Sequence, residues 1–145
     1  MHTVPRALPS SRFTVTITTL VLAFACGAAS AAPITGTLTG AQEVPPVETT
    51  ATGTAKFQLK ADRGLSGSVK TDDIDGVAAH IHDGAPGVNG PVVVPLNKKN
   101  DHEWTVPVGT KFTAAQIESL KAGTLYVNVH TDAHKGGEIR GQLKQ

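Results

Sequence analysis

From residue 34 onwards, short runs with a period of two are cut apart by Gly, Pro, Asn and Asp, and this punctuation constrains the fold more than any other feature. Side chains alternate between the two faces of a strand, so an alternating run closed by a turn reads as one strand of an antiparallel sandwich or barrel. The expected strands cover residues 34–38, 51–59 (ATGTAKFQL), 65–70 (LSGSVK), 77–83 (VAAHIHD), 92–96 (VVVPL), 103–108 (EWTVPV), 125–130 (LYVNVH) and 138–143 (EIRGQL). Residues 42–50 (QEVPPVETT) read as a loop, because Pro45 and Pro46 have no N–H to give to a central ladder. GAPGVNGP (84–91) is a turn, and NKKNDH (97–102) reads as a polar loop.

One segment departs from the period of two. Thr113-Ala-Ala-Gln116 has the form of a capping box; Ala114, Ile117 and Leu120 follow at helical spacing, and Gly123 can close the last turn with a left-handed backbone. The spacing predicts a short helix over residues 114–122, before the penultimate strand. The fold class is therefore all-β, an antiparallel sandwich carrying one short helix.

The first 31 residues follow a different logic. Arg6 and Arg12 give a positive start, an apolar stretch runs from Phe13 to Cys26, and Ala29-Ser30-Ala31 offers the small side chains an export peptidase accepts. A helix that spans a bilayer needs roughly 20 apolar residues. This stretch is shorter and rich in Thr, so residues 1–31 read as a cleaved signal peptide and residues 32–145 as a single domain, periplasmic or secreted. Lipoprotein processing at Cys26 fits less well, since Ala23-Phe24-Ala25 departs from a Leu-led lipobox.

Cleavage changes the chemistry left to the domain. It removes the one Cys and the one Met, and two of the 13 basic residues, leaving 12 acidic ones in place. Disulfides, thiolate catalysis and soft-ligand copper(I) sites go with them. The near-neutral balance offers no basic surface for nucleic acid, and no membrane span remains.

Imidazole is then the strongest transition-metal ligand in the chain. His80 and His82 stand at i and i+2 and project from one strand face, while Ala79 and Ile81 take the other. In LYVNVH, Tyr126, Asn128 and His130 share a face opposite Leu125, Val127 and Val129, and His134 follows four residues after His130. Two imidazoles from one strand and one or two from a neighbour suit copper(II) or zinc. Asp83, Asp132 and Glu138 are candidate acceptors to orient the rings. An H-x-H pair by itself also occurs as ordinary hydrogen-bonded surface histidine. His102, in a polar loop, is left outside the site.

Three ordered blocks carry a family resemblance: LTGAQEVPPVETTATGTA (38–55), AAHIHDGAPGVNGPVVVPL (78–96) and AGTLYVNVHTDAHKGGEIRGQL (122–143). With them the chain resembles the chordin-type (CHRD) domain family over about residues 36–143. The resemblance implies an immunoglobulin-like β-sandwich, a single-domain form in secreted bacterial proteins and repeats in animal chordins, which bind bone morphogenetic proteins. His80, His82 and His130 match family histidines; Gly84, Gly87 and Gly90 match turn glycines; Glu138, Arg140 and Gly141 match the closing GEIRG. His134 departs from the pattern, where Asn then Pro is more usual, and so becomes a candidate fourth ligand. The family carries no general activity.

Three functions follow as expectations. The first is an exported metal-binding protein, with copper (or zinc) held by His80, His82, His130 and His134 for sequestration or delivery. The second is a non-enzymatic adhesion or interaction module that engages another extracytoplasmic protein, its histidines purely structural. The third rests on a fold-level analogy to copper/zinc superoxide dismutases, with Arg140 steering the anion to the metal. No nucleophile elbow is present, and the acidic TDDIDG turn lacks the closing Glu of an EF-hand.

Overall fold

A computed structural model describes residues 32–145 together with the isolated His2; the export segment and its cleavage site lie outside the described residues. The strands are β1 (Ile34–Thr39), β2 (Thr52–Leu59), β3 (Leu65–Asp72), β4 (Ala78–Asp83), β5 (Val92–Pro95), β6 (Asn97–Asn100), β7 (Glu103–Thr105), β8 (Leu125–His130) and β9 (Ile139–Gln142), with one helix, α1 (Ala114–Ala122). All pairings are antiparallel, in the order β5-β4-β8-β9-β1-β2-β3-β7-β6.

The two ends of that order, β5 and β6, are consecutive in the chain with Leu96 alone between them. A sheet whose first and last strands are joined by one residue has to curl back on itself. Leu96 N–H donates to Ala79 O (2.9 Å) and ties the junction to β4. The all-β sandwich is thus made by one nearly closed sheet, which leaves little open edge.

Its inside is filled by alternate residues. Ile34 and Leu38 of β1, Ala55 and Phe57 of β2, Ile81 of β4, Trp104 of β7, and Val127 and Val129 of β8 are all buried in one cluster. Helix α1 adds Leu120 and part of Ile117. Both bonds of its capping box form: Gln116 N–H donates to Thr113 Oγ1 (3.2 Å) and Thr113 N–H to Gln116 Oε1 (2.8 Å). Gly123 closes the helix at φ 73°.

The expected elements are present, with two corrections. Residues 97–100 (NKKN) form strand β6 rather than a loop, and all four are exposed. With no buried face there is no alternation to read; the strand is held by its backbone pairing to β7. The strand expected over residues 103–108 ends at Thr105, shortly before Pro107.

Candidate metal centre

Strand β8 is buried on both faces, unlike most strands of small sandwiches. Its odd-numbered residues face the core. Its even-numbered residues face a second, polar layer on the outside of the sheet, shared with β4 and β9. The register fixes the rows: Ala78 lies opposite His130, His80 opposite Asn128, and His82 opposite Tyr126; on the other side Asn128 lies opposite Arg140 and Tyr126 opposite Gln142. Two loops roof this layer, residues 40–51 and 84–91. They are tied together by Asn89 Nδ2–H donating to Val44 O (2.8 Å). Gly90 lets the second loop close down, since a Cβ there would run into the carbonyl of Asp83.

The register delivers the three histidines to one place. His80 Nδ1 and His130 Nε2 are 3.0 Å apart. One ligand nitrogen from each of His80, His82 and His130 lies within 4.8 Å of the others. Two nitrogens bound to the same zinc at about 2.0–2.1 Å, at a tetrahedral angle, stand about 3.3 Å apart. The His80–His130 pair is therefore near bite distance without any metal, and the third ring needs only a small approach.

Backbone carbonyls fix the proton positions. His82 Nδ1 sits 2.9 Å from Gly90 O, and His130 Nδ1 sits 2.9 Å from Lys135 O. A carbonyl can only accept, so in each neutral ring Nδ1 carries the hydrogen and Nε2 keeps its lone pair. A hydrogen bond that pins the far nitrogen of an imidazole is what a metal-ligating histidine ordinarily has. His130 Nε2 accepts from His80 Nδ1–H. His82 Nε2 is buried and makes no hydrogen bond of good geometry, the Asn128 amide being the side chain that interacts with this ring. A buried acceptor without a good hydrogen bond costs free energy, and a cation between the rings would satisfy it.

The electrostatics favour neutral, ligand-competent rings at His80 and His82. Burial holds His80 below the usual imidazole range, helped by the neighbouring His130 and His82. Burial also lowers His82, against the opposing hydrogen bond to Gly90 O. Behind the trio lie Glu43 and Arg140, 4% and 1% exposed. Burial pushes the Glu43 carboxyl up to about 7, partly offset by the Val44 backbone N–H, the Arg140 charge and Asn128. Glu43 Oε1 and Asn128 Oδ1 join His82 Nε2 as buried polar atoms without a hydrogen bond of good geometry. Gly137, at φ 129°, makes room for Glu43, because a Cβ would meet Oε1.

Other expected residues take different roles. His134 stands outside the cluster of three; its carbonyl accepts from Gly137 N–H (3.0 Å) and Thr131 N–H (3.3 Å), shaping the turn that brings Lys135 O to His130. Asp83 orients no ring: it accepts from Ser119 and Thr124 hydroxyls, both at 2.7 Å, and anchors α1 to β4. Glu138 likewise binds Thr49 and Thr131 hydroxyls, both at 2.7 Å. The orienting acceptors are backbone carbonyls, which no residue pattern announces. Arg140 is buried beneath the 84–91 loop and does not face solvent as an anion-steering cation would. His102 is exposed, away from the site. Glu43 was not anticipated; a lone acid before a Pro-rich segment carries no periodic signal.

A family model of the CHRD domain matches residues 34–143, the whole span of the sheet. The chain belongs to the CHRD domain family. All three clustered histidines, both roofing loops and Arg140 lie within the matched CHRD residues. Comparison with curated proteins and with solved structures gives no match.

Proposed function

We propose that this CHRD domain is an exported metal-binding protein that holds copper, or zinc, on His80, His82 and His130 for sequestration or delivery. The observation that carries this reading is the cluster itself: one ring nitrogen from each of His80, His82 and His130 lies within 4.8 Å of the others, with His80 and His130 already near bite distance. Copper is favoured over zinc by the intrinsic affinity order for nitrogen ligands, and no Cys or Met in residues 32–145 biases the site towards copper(I). Export rests on residues 1–31, and no helix among the described residues is long and apolar enough to cross a membrane. In binding, His82 and His130 would present Nε2 as they stand, while His80 would move its proton off Nδ1. A carrier fits better than a dismutase, because the cation that would draw superoxide in, Arg140, is buried and turned towards loop carbonyls.

Titration of purified residues 32–145 with copper(II) and zinc tests the reading. The wild type should bind one equivalent, and a His80→Ala/His130→Ala variant should lose at least 100-fold in affinity. Equal weak binding by both proteins would sink it, leaving the histidines as a hydrogen-bonded layer beneath an interaction surface. His134→Ala, tested alongside, decides whether that residue closes on the metal.

A further inference from the structure

Arg140 is a buried guanidinium with no carboxylate in ion-pair range among the described residues. A charge in that position is expensive unless its donors are satisfied, and here they are spent almost wholly on one loop. Nη2 donates towards Ala85 O (3.0 Å), Val88 O (3.0 Å) and Gln142 Oε1 (3.1 Å), and Nη1 donates to Asn89 Oδ1 (3.3 Å). The guanidinium also lies 3.5 Å from the centre of the Tyr126 ring. The opposite partner of that ring is His82, stacked on it at 4.9 Å and 10°. The hydroxyl of Tyr126 accepts from Gly90 N–H (3.1 Å), and Gly90 O takes the Nδ1 hydrogen of His82 (2.9 Å).

These contacts close a circuit. Arg140 holds the 84–91 loop, the loop holds Gly90 O against His82, and His82 and Arg140 clamp Tyr126 between them. We propose that Arg140 is the positioning residue of the metal centre: through the loop and the Tyr126 stack it fixes the tautomer and plane of His82, so that Nε2 keeps its lone pair in a ring clustered with His80 and His130. This rests on the metal reading for its purpose, but its geometry concerns the metal-free protein and can fail independently. His130 serves as an internal reference, since its Nδ1–H is pinned by Lys135 O in a different loop. A planar five-donor fork that also stacks on an aromatic face is not replaced by an ammonium.

The test is imidazole nitrogen NMR on metal-free protein at pH 8, where neutral tautomers are read directly. In the wild type, His82 and His130 should both be Nδ1–H tautomers. Arg140→Gln and the milder Arg140→Lys should turn His82 into a tautomer mixture and leave His130 unchanged, while Phe57→Leu, a core variant remote from the loop, should change neither ring. If Arg140→Gln does not fold, Arg140→Lys decides. His82 remaining wholly Nδ1–H in a folded Arg140 variant overturns the proposal, whatever the metal does. Metal titration gives the second arm. Outer partners of metal-bound imidazoles are worth about 10–100-fold in affinity, and that loss is expected in the Arg140 variants but not in Phe57→Leu. A wild type that shows the tautomers but binds no metal defeats the functional reading and leaves the positioning role standing.

Discussion

The two faces of β8 are built from neighbouring residues and solve opposite problems. Leu125, Val127 and Val129 are fully buried among aliphatic and aromatic side chains, and the interior on that side leaves two polar groups without a partner, Trp104 Nε1 and Thr71 Oγ1. Tyr126 and Asn128 are as deeply buried on the other face, and that layer holds three polar atoms without a hydrogen bond of good geometry, on Glu43, His82 and Asn128, with the Asn128 amide acting on the other two. A well-packed interior normally leaves very few such groups. What separates the two faces is the kind of group buried: the core side is aliphatic and aromatic, while the outer layer gathers His80, His82, His130, Glu43 and Arg140.

Substituting either face of β4 separates these roles most sharply. Ile81 is fully buried between His80 and His82 in sequence but points into the core. Ile81→Ala should cost about 2–5 kcal/mol in urea unfolding of the metal-free protein. Its copper affinity, measured well below the transition, should change by less than about threefold. A large loss of affinity would show that the faces are not independent.

Glu43→Gln should have the next largest effect, with the opposite sign. The Glu43 carboxyl is raised from 4.5 to about 7 in the folded chain. Between those values the native state keeps a proton that the unfolded state has lost, so this group subtracts stability as pH rises through 4.5 to 7. The full penalty above that window is about 3 kcal/mol. His80 and His82 act the other way: both are lowered from 6.5, so metal-free stability falls as pH drops below 6.5. Glu43→Gln should therefore stabilise the protein at pH 8 and expose a simple profile that rises to pH 6.5 and then flattens. An unchanged profile would mean that Glu43 is solvated in solution.

Metal should stabilise the histidine face alone. At free copper about 100-fold above the dissociation constant, the expected gain is about 2.7 kcal/mol. The gain should vanish in His82→Ala and survive in Ile81→Ala. Thermal unfolding with and without copper reads both.

How much of this was legible in the sequence follows from the same contrast. The core face announced itself through alternation, and helix α1 through Thr113, Gln116 and Gly123, because those patterns are consequences of local geometry. His80, His82 and His130 were legible because residues i and i+2 share a strand face. Strand β6 was not, since four exposed residues have no face to alternate. The roof of the site was legible only in part: the glycines of residues 84–90 mark a turn, but nothing in the residue order says that its carbonyls meet His82 and Arg140. His134 was a reasonable candidate by distance along the chain; its place is set by the turn hydrogen bonds of its own backbone, which sequence spacing does not encode.

The smallest effect tests whether the metal centre depends on the far end of β4. Helix α1 reaches that strand through Ser119 Oγ–H, which donates to Asp83 Oδ2 (2.7 Å), next in sequence to His82. Thr113→Ala removes the cap at the other end of the helix and leaves the Gln116 N–H without its acceptor. Such caps are worth about 1 kcal/mol. The loss should fall on the first turn, because Leu120 still seats the last turn in the core and Gly123 N–H still closes on Leu120 O (3.0 Å). Unfolding should register the 1 kcal/mol or so, with copper affinity and the His82 tautomer unchanged. Should affinity fall with the cap, the helix would be part of the site's support, and the division between a structural face and a functional face would have to be redrawn to include Asp83 and Ser119.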